Sequence, residues 1–186
     1  MEFTKQIIEY AGKENGRVTL LLFDIDDFKK YNDLYGHAAG DEILRQVSQL
    51  MLRCCRTHDV VGRIGGDEFA VVFWDDPSIL KAVIEQSKKT ERRSIDSEHP
   101  NEAMLIAKRF ASELEKTPVF KSNFGNPDET GLGPNGIGTL TISGGLASFP
   151  RNGKTVQELF LLADNALLEA KRSGKNRIYL VGKPQD

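Results

Sequence analysis

Arg17-Val-Thr-Leu-Leu-Leu-Phe-Asp-Ile25 is a run in which nearly every position is apolar. Successive side chains of a strand point to opposite faces, so a run apolar on both suits a central strand covered on both sides. It ends abruptly in acid, at Asp24, Asp26 and Asp27. Working outward, a loop is expected next, then a helix from about Ala39 whose Ile43, Val47, Leu50, Met51 and Cys54 form one stripe. Residues 60–64 and 69–74 are two short apolar runs joined by Gly65-Gly66-Asp67-Glu68. Paired glycines between β-type runs signal a hairpin. Upstream, Phe3, Ile7, Ile8 and Ala11 fall at helical spacing, closed by Gly12 and Asn15-Gly16.

Beyond the hairpin, Ser78 is placed to cap a helix carrying Ile79, Leu80, Val83 and Ile84. Residues 85–100 are strongly polar and read as part of a solvated insertion over about 76–101. A second helix is expected over 102–116 with Leu105, Ile106, Phe110 and Leu114 inward, followed by a Gly-, Pro- and Asn-rich loop over 121–138. Residues 139–147 read as a strand. Thr155-Val-Gln-Glu158 is a capping box opening a helix with Val156, Leu159, Phe160, Ala163, Leu167 and Ala170 on one face. Gly174 ends it, and 178–181 forms a last strand. Helices alternating with strands around an antiparallel hairpin predict an α+β sandwich, a mixed central sheet with helices packed on it.

The 186 residues suit one domain with a substantial core. Lys plus Arg is 25 against 27 for Asp plus Glu, a net charge of -2, which argues against a nucleic-acid coat or an anionic-membrane binder. The two cysteines, Cys54 and Cys55, are neighbours and build no disulfide framework, which fits a reducing cytoplasm. No apolar run approaches the roughly 18 residues of a membrane span, and no signal peptide is recognised.

Asp24 stands where the buried run leaves the core, and Asp67 and Glu68 stand on the Gly-Gly turn. If their strands are neighbours, carboxylates converge at one sheet edge, where they repel unless a cation or proton compensates. Hard oxygen ligands of this kind suit Mg²⁺, which combines one or two carboxylates with substrate phosphates and water. Solvated turn acids are the plainer alternative. The two glycines let the backbone turn tightly and admit a phosphate or base.

Gly65-Gly66-Asp67-Glu68-Phe69 resembles the signature of the GGDEF family of diguanylate cyclases. Further matches run from about Val18 to Leu180. They are Phe23-Asp24-Ile25-Asp26-Asp27-Phe28-Lys29, Asn32, Gly36-His37, Gly40-Asp41, Arg63, Ser143-Gly144-Gly145 and Gly174-Lys175-Asn176-Arg177, with Ala163-Asp164 and Ala170-Lys171 in the closing helix. The resemblance implies the nucleotidyl-cyclase and polymerase-palm-like fold. It implies condensation of two GTP into cyclic di-GMP and two pyrophosphates, with Mg²⁺, or Mn²⁺ in its stead, across a transient homodimer.

The resemblance implies metal ligation by Asp24, the Ile25 carbonyl and Asp67. Asp67 would also accept the proton of the attacking 3′-hydroxyl, Glu68 would support the acidic site, and Lys29 would stabilise charge in the transition state. Asn32 and Asp41 would read guanine, with His37 beside the nucleotide. Phe28, Lys171 and Lys175 complete the substrate site, the two lysines holding the triphosphate. Arg56 and Asp59 have the spacing of a product-binding feedback site for cyclic di-GMP. Plainer readings stand beside these: Asp41 as a helix N-terminal charge, the lysines as C-terminal helix cations, and Arg56–Asp59 as a helix-end pair.

The family's Asp-x-Leu-Thr segment is absent, so the chain reads as a single GGDEF domain, residues 1–186, excised from a longer protein. Lys175 stands where the family often has Arg, keeping the charge but losing the guanidinium fork. The rival reading is a catalytically silent domain that binds GTP or cyclic di-GMP as a receptor. The domain itself is expected in the cytoplasm with no membrane contact and no nucleic-acid polymer as partner. Membrane attachment of the longer protein is left open.

Overall fold

The structure, a computed structural model, describes residues 6, 8, 9, 12, 16–74, 99–116 and 140–182. The expected helix at 79–84, the polar stretch up to residue 98 and the loop at 121–138 lie outside the described residues, as do Phe3, Ile7 and Ala11. Of the opening segment, residues 6, 8, 9 and 12 are helical and Ile8 is buried.

The elements follow in the order β1 (Val18–Ile25), α1 (Phe28–Tyr35), α2 (His37–Cys54), β2 (Val60–Gly65), β3 (Glu68–Trp74), α3 (His99–Lys116), β4 (Ile142–Phe149), α4 (Val156–Arg172) and β5 (Ile178–Leu180). They build a five-stranded sheet in the order β2-β3-β1-β4-β5. β1 is central, as its apolar run requires, and all eight of its residues are buried. It runs antiparallel to β3 and β4, β2 runs antiparallel to β3, and only β5 is parallel to its neighbour. The sheet is therefore mixed and the class α+β, as the pattern predicts. Among the described residues no helix is long and apolar enough to cross a membrane.

Strand alternation sorts the core into two layers. Leu21, Phe23 and Ile25 face the layer of α1, α2 and α3, packing with Tyr31, Ile43, Val47, Met51, Phe110 and Leu114. Val18, Leu20 and Leu22 face α4, packing with Val156, Leu159, Ala163 and Leu167. The same alternation continues to Asp24, which lies on the α4 face. Phe69 stacks on Phe23 with ring centroids 5.1 Å apart, so the last residue of the turn motif anchors that turn in the core.

Three expectations are corrected. Residues 28–35 form α1 rather than a loop, and α2 starts at His37 rather than about Ala39. α1 is short and strongly polar, and only Phe28 and Tyr31 are buried, so its period is faint in the sequence. Leu105 on α3 points outward at 67% exposure, while Ala103, Met104 and Ala107 face inward beside Phe110 and Leu114. The inward stripe therefore runs through Ala103, Met104, Ala107, Phe110 and Leu114, one position off at Leu105. β4 spans Ile142–Phe149, displaced from the expected 139–147.

α4 opens with the predicted capping box, Thr155 Oγ1 accepting from Glu158 N–H and Glu158 from Thr155 N–H. Its seat on β4 depends on Gly145. A Cβ there would lie 2.0 Å from the Ala163 carbonyl oxygen and 2.5 Å from the Leu167 nitrogen, both backbone atoms that cannot swing aside. Gly145→Ala should therefore lower stability by roughly 1–3 kcal/mol. Gly62→Ala, on edge strand β2 with no atom within 4 Å of its Cβ, should cost well under half of that. Urea denaturation of the two variants checks the contrast.

Candidate active site

Asp24 is the last polar group before the β1 chain leaves the sheet, and it is only 7% exposed. Its register partners are Glu68 on β3 and Ser143 on β4, so one acid lies directly across from another. β2 and β3 meet in a tight turn at Gly66-Asp67, with Gly66 at φ 49° and a register shift that leaves Ile64 unpaired. Arg63 Nε donates to the Gly66 carbonyl at 2.7 Å and braces the turn. The turn brings Asp67 within electrostatic reach of Asp24. Burial, then the charges of Asp67 and Asp26, push the Asp24 carboxyl up to about 6, against the pull of Lys171. Asp24 thus has Glu68 as its register partner and Asp67 within electrostatic reach.

The charge is partly balanced from α4. Lys171 Nζ lies 2.8 Å from Asp24 Oδ2. Lys175 Nζ lies 2.9 Å from Asp27 Oδ1, which Lys30 also contacts at 2.9 Å. Burial works against the Asp27 carboxylate, but the two ammonium groups prevail and hold its pKa below the usual value. Lys175 lies just beyond the end of α4, in keeping with the expected stop at Gly174. Ser173 caps α4, Gly174 takes φ 110°, and Lys175 N–H closes back on the Ala170 carbonyl in a Schellman-type turn. Lys175 and Asn176 both adopt left-handed backbone there.

Asp26 was not singled out from the sequence, yet it is the best-satisfied acid of the group. Its buried carboxylate accepts from Thr141 Oγ1 (2.8 Å), Ser143 Oγ (2.7 Å) and Asn176 N–H (3.0 Å). It ties the end of β1 to β4 and to the turn after α4. Its donors lie more than a hundred residues away in the chain, so nothing local in the sequence marked it.

On the other side of the acids, Asn32 of α1 meets Gly40 of α2. A Cβ at residue 40 would lie 1.8 Å from Asn32 Oδ1, so only glycine leaves room for this amide. That Oδ1 is buried with no hydrogen-bond partner. Buried acceptors are ordinarily paired, and an unpaired one beside a cleft awaits a donor. His37 and Asp41 are exposed and one turn apart on α2. Asp41 lies beyond the first helical turn, where the helix dipole has little hold, which weakens its reading as a helix-end charge. Lys29 is exposed at the start of α1. Phe28 and Ile25 are buried core side chains, so each can offer a ligand only its main chain. The first-turn N–H groups of α1, at Phe28 and Lys29, have no partner within the helix.

Arg56 and Asp59 lie together after α2. Asp59 Oδ2 accepts from Arg56 N–H at 2.7 Å, and Asp59 Oδ1 is buried without a partner. Burial raises the Asp59 pKa above its ordinary value. The Arg56 guanidinium reaches away to Glu102 of α3 at 2.5 Å.

The residues suit a divalent cation by their chemistry. Two carboxylates and a main-chain carbonyl are all that Mg²⁺ needs when phosphates and water complete its shell. Among the described residues no group of three or more His, Cys, Asp or Glu side chains is placed to hold a metal ion by itself. Asp24, raised above its unfolded value, contributes stability while protonated and loses it as pH rises from about 4 through about 6. In EDTA, Asp24→Asn should therefore melt higher than the parent at pH 7.5, and the difference should vanish near pH 4. Thermal melts at the two pH values check it.

The family model described as "Diguanylate cyclase, GGDEF domain" matches residues 1–117, the turn motif included. Diguanylate cyclase DosC of Escherichia coli K12 is 36% identical over 177 residues, covering 95% of this chain and 31% of DosC. Diguanylate cyclase A of Treponema denticola is 29% identical over 173 residues, covering 93% of this chain and 38% of that protein. The chain thus spans about a third of the length of these relatives. Among solved structures, the active GGEEF domain of a diguanylate cyclase from Vibrio cholerae superposes with a TM-score of 0.73 at 22% identity, covering 98% of this chain and 94% of that one. The GGDEF domain of DgcB from Caulobacter crescentus, solved with c-di-GMP, gives 0.69 at 22% identity, over 98% and 88%. At such identities the structures speak for the fold, and the family model speaks for kinship: the chain belongs to the GGDEF domain family.

Proposed function

We propose that this chain is a catalytic GGDEF domain, a single unit within a longer protein, that condenses two GTP into cyclic di-GMP and two pyrophosphates. The observation that carries the reading is the pairing of buried Asp24 with Asp67 on the Gly-Gly turn, an excess of negative charge that favours a cation. A receptor has no need of that charge, which works against the fold.

Asp24, Asp67 and the Ile25 carbonyl would hold Mg²⁺, or Mn²⁺. The ion would supply charge neutralisation for the triphosphate and for the departing pyrophosphate. Lys171, Lys175, Lys29 and the open N–H groups at the start of α1 are suited to phosphate oxygens. Asn32, with its unpartnered Oδ1, and Asp41 are suited to the donor edge of guanine. His37 lies beside them. Glu68 keeps the site acidic.

One site holds one GTP, and the product joins two, so two domains must meet face to face. Each 3′-oxygen forms a bond to the α-phosphorus of the other nucleotide. The bond from that phosphorus to the bridging oxygen breaks, and pyrophosphate leaves with the electron pair. The 3′-hydroxyl proton passes to the Asp67 carboxylate and on to water. Arg56 and Asp59 form the proposed feedback site for cyclic di-GMP, where the unpartnered Asp59 Oδ1 can accept from a guanine edge.

Incubation with GTP and Mg²⁺, followed by nucleotide chromatography, tests the reading. Cyclic di-GMP should form, with specific activity that rises with protein concentration. Asp67→Ala should reduce the rate at least about 10²-fold, the scale of losing a proton acceptor alone. Nucleotide binding without turnover in the parent chain would replace the enzyme with a receptor.

A further inference from the structure

The two lysines expected to hold phosphate are both already engaged with acids at the end of β1. We propose that Lys171 is a placeholder for the metal ion: with the site empty its ammonium neutralises Asp24, and on binding it exchanges that carboxylate for a substrate phosphate as the cation takes Asp24. Lys175 makes the parallel exchange from Asp27. The inference rests on the metal assignment made above and adds to it a coupling between metal and nucleotide.

The geometry makes the exchange feasible. Lys171 Nζ reaches Asp24 Oδ2 at 2.8 Å, and its side chain is 33% exposed against 10% for Asp24. The ammonium therefore approaches from the solvent side, the side open to an incoming ligand. Lys171 sits in the last turn of α4, whose position on β4 is fixed by the close approach at Gly145. Lys175 is held by the turn after α4, where its N–H bonds to Ala170. Both stems are thus anchored, while both side chains are about a third exposed and open to an incoming ligand.

Charge accounting gives the consequence. A divalent ion alone competes with Lys171 for the Asp24 carboxylate and, on displacing it, leaves that ammonium without an anion. A triphosphate alone must draw the lysine away and leave Asp24 beside Glu68 and Asp67 uncompensated. When both ligands arrive, the ammonium that the cation displaces has a phosphate to meet and the carboxylate that the ammonium leaves has the cation. Each ligand therefore raises the affinity for the other, and by linkage the effect is reciprocal.

The test reads binding of Mn²⁺ alone to nucleotide-free protein, followed by the electron paramagnetic resonance signal of free Mn²⁺. Lys171→Met should bind Mn²⁺ roughly tenfold tighter than the parent, within the range usual for coupled sites. Lys171→Gln should do the same and serves if the Met variant folds poorly. Lys175→Met removes an equal charge nearby but not from Asp24, and its Mn²⁺ affinity should stay near the parent's. Equal or weaker Mn²⁺ binding by the Lys171 variants overturns the exchange, as does equal tightening by Lys175→Met, which would mark a general charge effect. Asp24→Asn separates the two claims. If it abolishes Mn²⁺ binding, the metal assignment stands whatever the lysine variants do. If it leaves binding unchanged, the metal assignment and the exchange both fail.

Discussion

Asp24 ends a strand whose eight residues are all buried, faces Glu68 across the ladder and lies within electrostatic reach of Asp67 on the turn beyond. Like charges opposed on neighbouring strands repel, and burial adds to the cost of each charge. The rest of this end of the molecule is arranged around that repulsion. Lys171 comes to Asp24 from α4, while Lys175 from the turn after α4 and Lys30 from α1 come to the neighbouring Asp27. A charge excess held in place by a rigid fold is a standing demand for cations, and the proposed phosphoryl chemistry rests on that demand.

The acids at the end of β1 divide their roles by hydrogen bonding. Asp26 has three donors and no solvent, and it locks β1, β4 and the turn after α4 together. Asp24, one alternation earlier on the strand, has one ammonium as its hydrogen-bonding partner, so it is available to a ligand. Asp27 sits at left-handed φ between them and α1, held by two lysines. The saturated acid is structural, and the undersatisfied one is the proposed metal ligand. The same logic applies to Asn32 and Asp59, whose buried oxygens lack donors.

Close packing carries the precision. Gly145 lets α4 rest directly on β4, and Gly40 lets α2 approach Asn32. Neither glycine touches a charged group. Each sets the position of a polar neighbour: Gly145 that of the helix carrying Lys171, Gly40 that of the Asn32 amide. Phe69 does the equivalent for the turn, stacking on Phe23 in the core so that Asp67 is presented from a fixed base.

Much of this was legible in the sequence. A run apolar on both faces marked β1 as central, because only a strand covered twice tolerates it. Thr155 and Glu158 announced the start of α4 through local hydrogen bonding, and the Gly-Gly turn announced the hairpin. These signals are local, carried by neighbours in the chain. Helix α1 was not legible, since two buried residues in eight give too faint a period. The inward stripe of α3 was misjudged at Leu105 because burial follows the face a helix turns to the core, not side-chain size. Asp26 could not be told from Asp24 and Asp27 by sequence, because its donors come from residues 141, 143 and 176. The chain by itself determined the strands, the caps and the acidic turn. Only the tertiary structure decided which acids are saturated and which lysines answer them, because hydrogen bonds and ion pairs between residues more than a hundred positions apart leave no periodic trace.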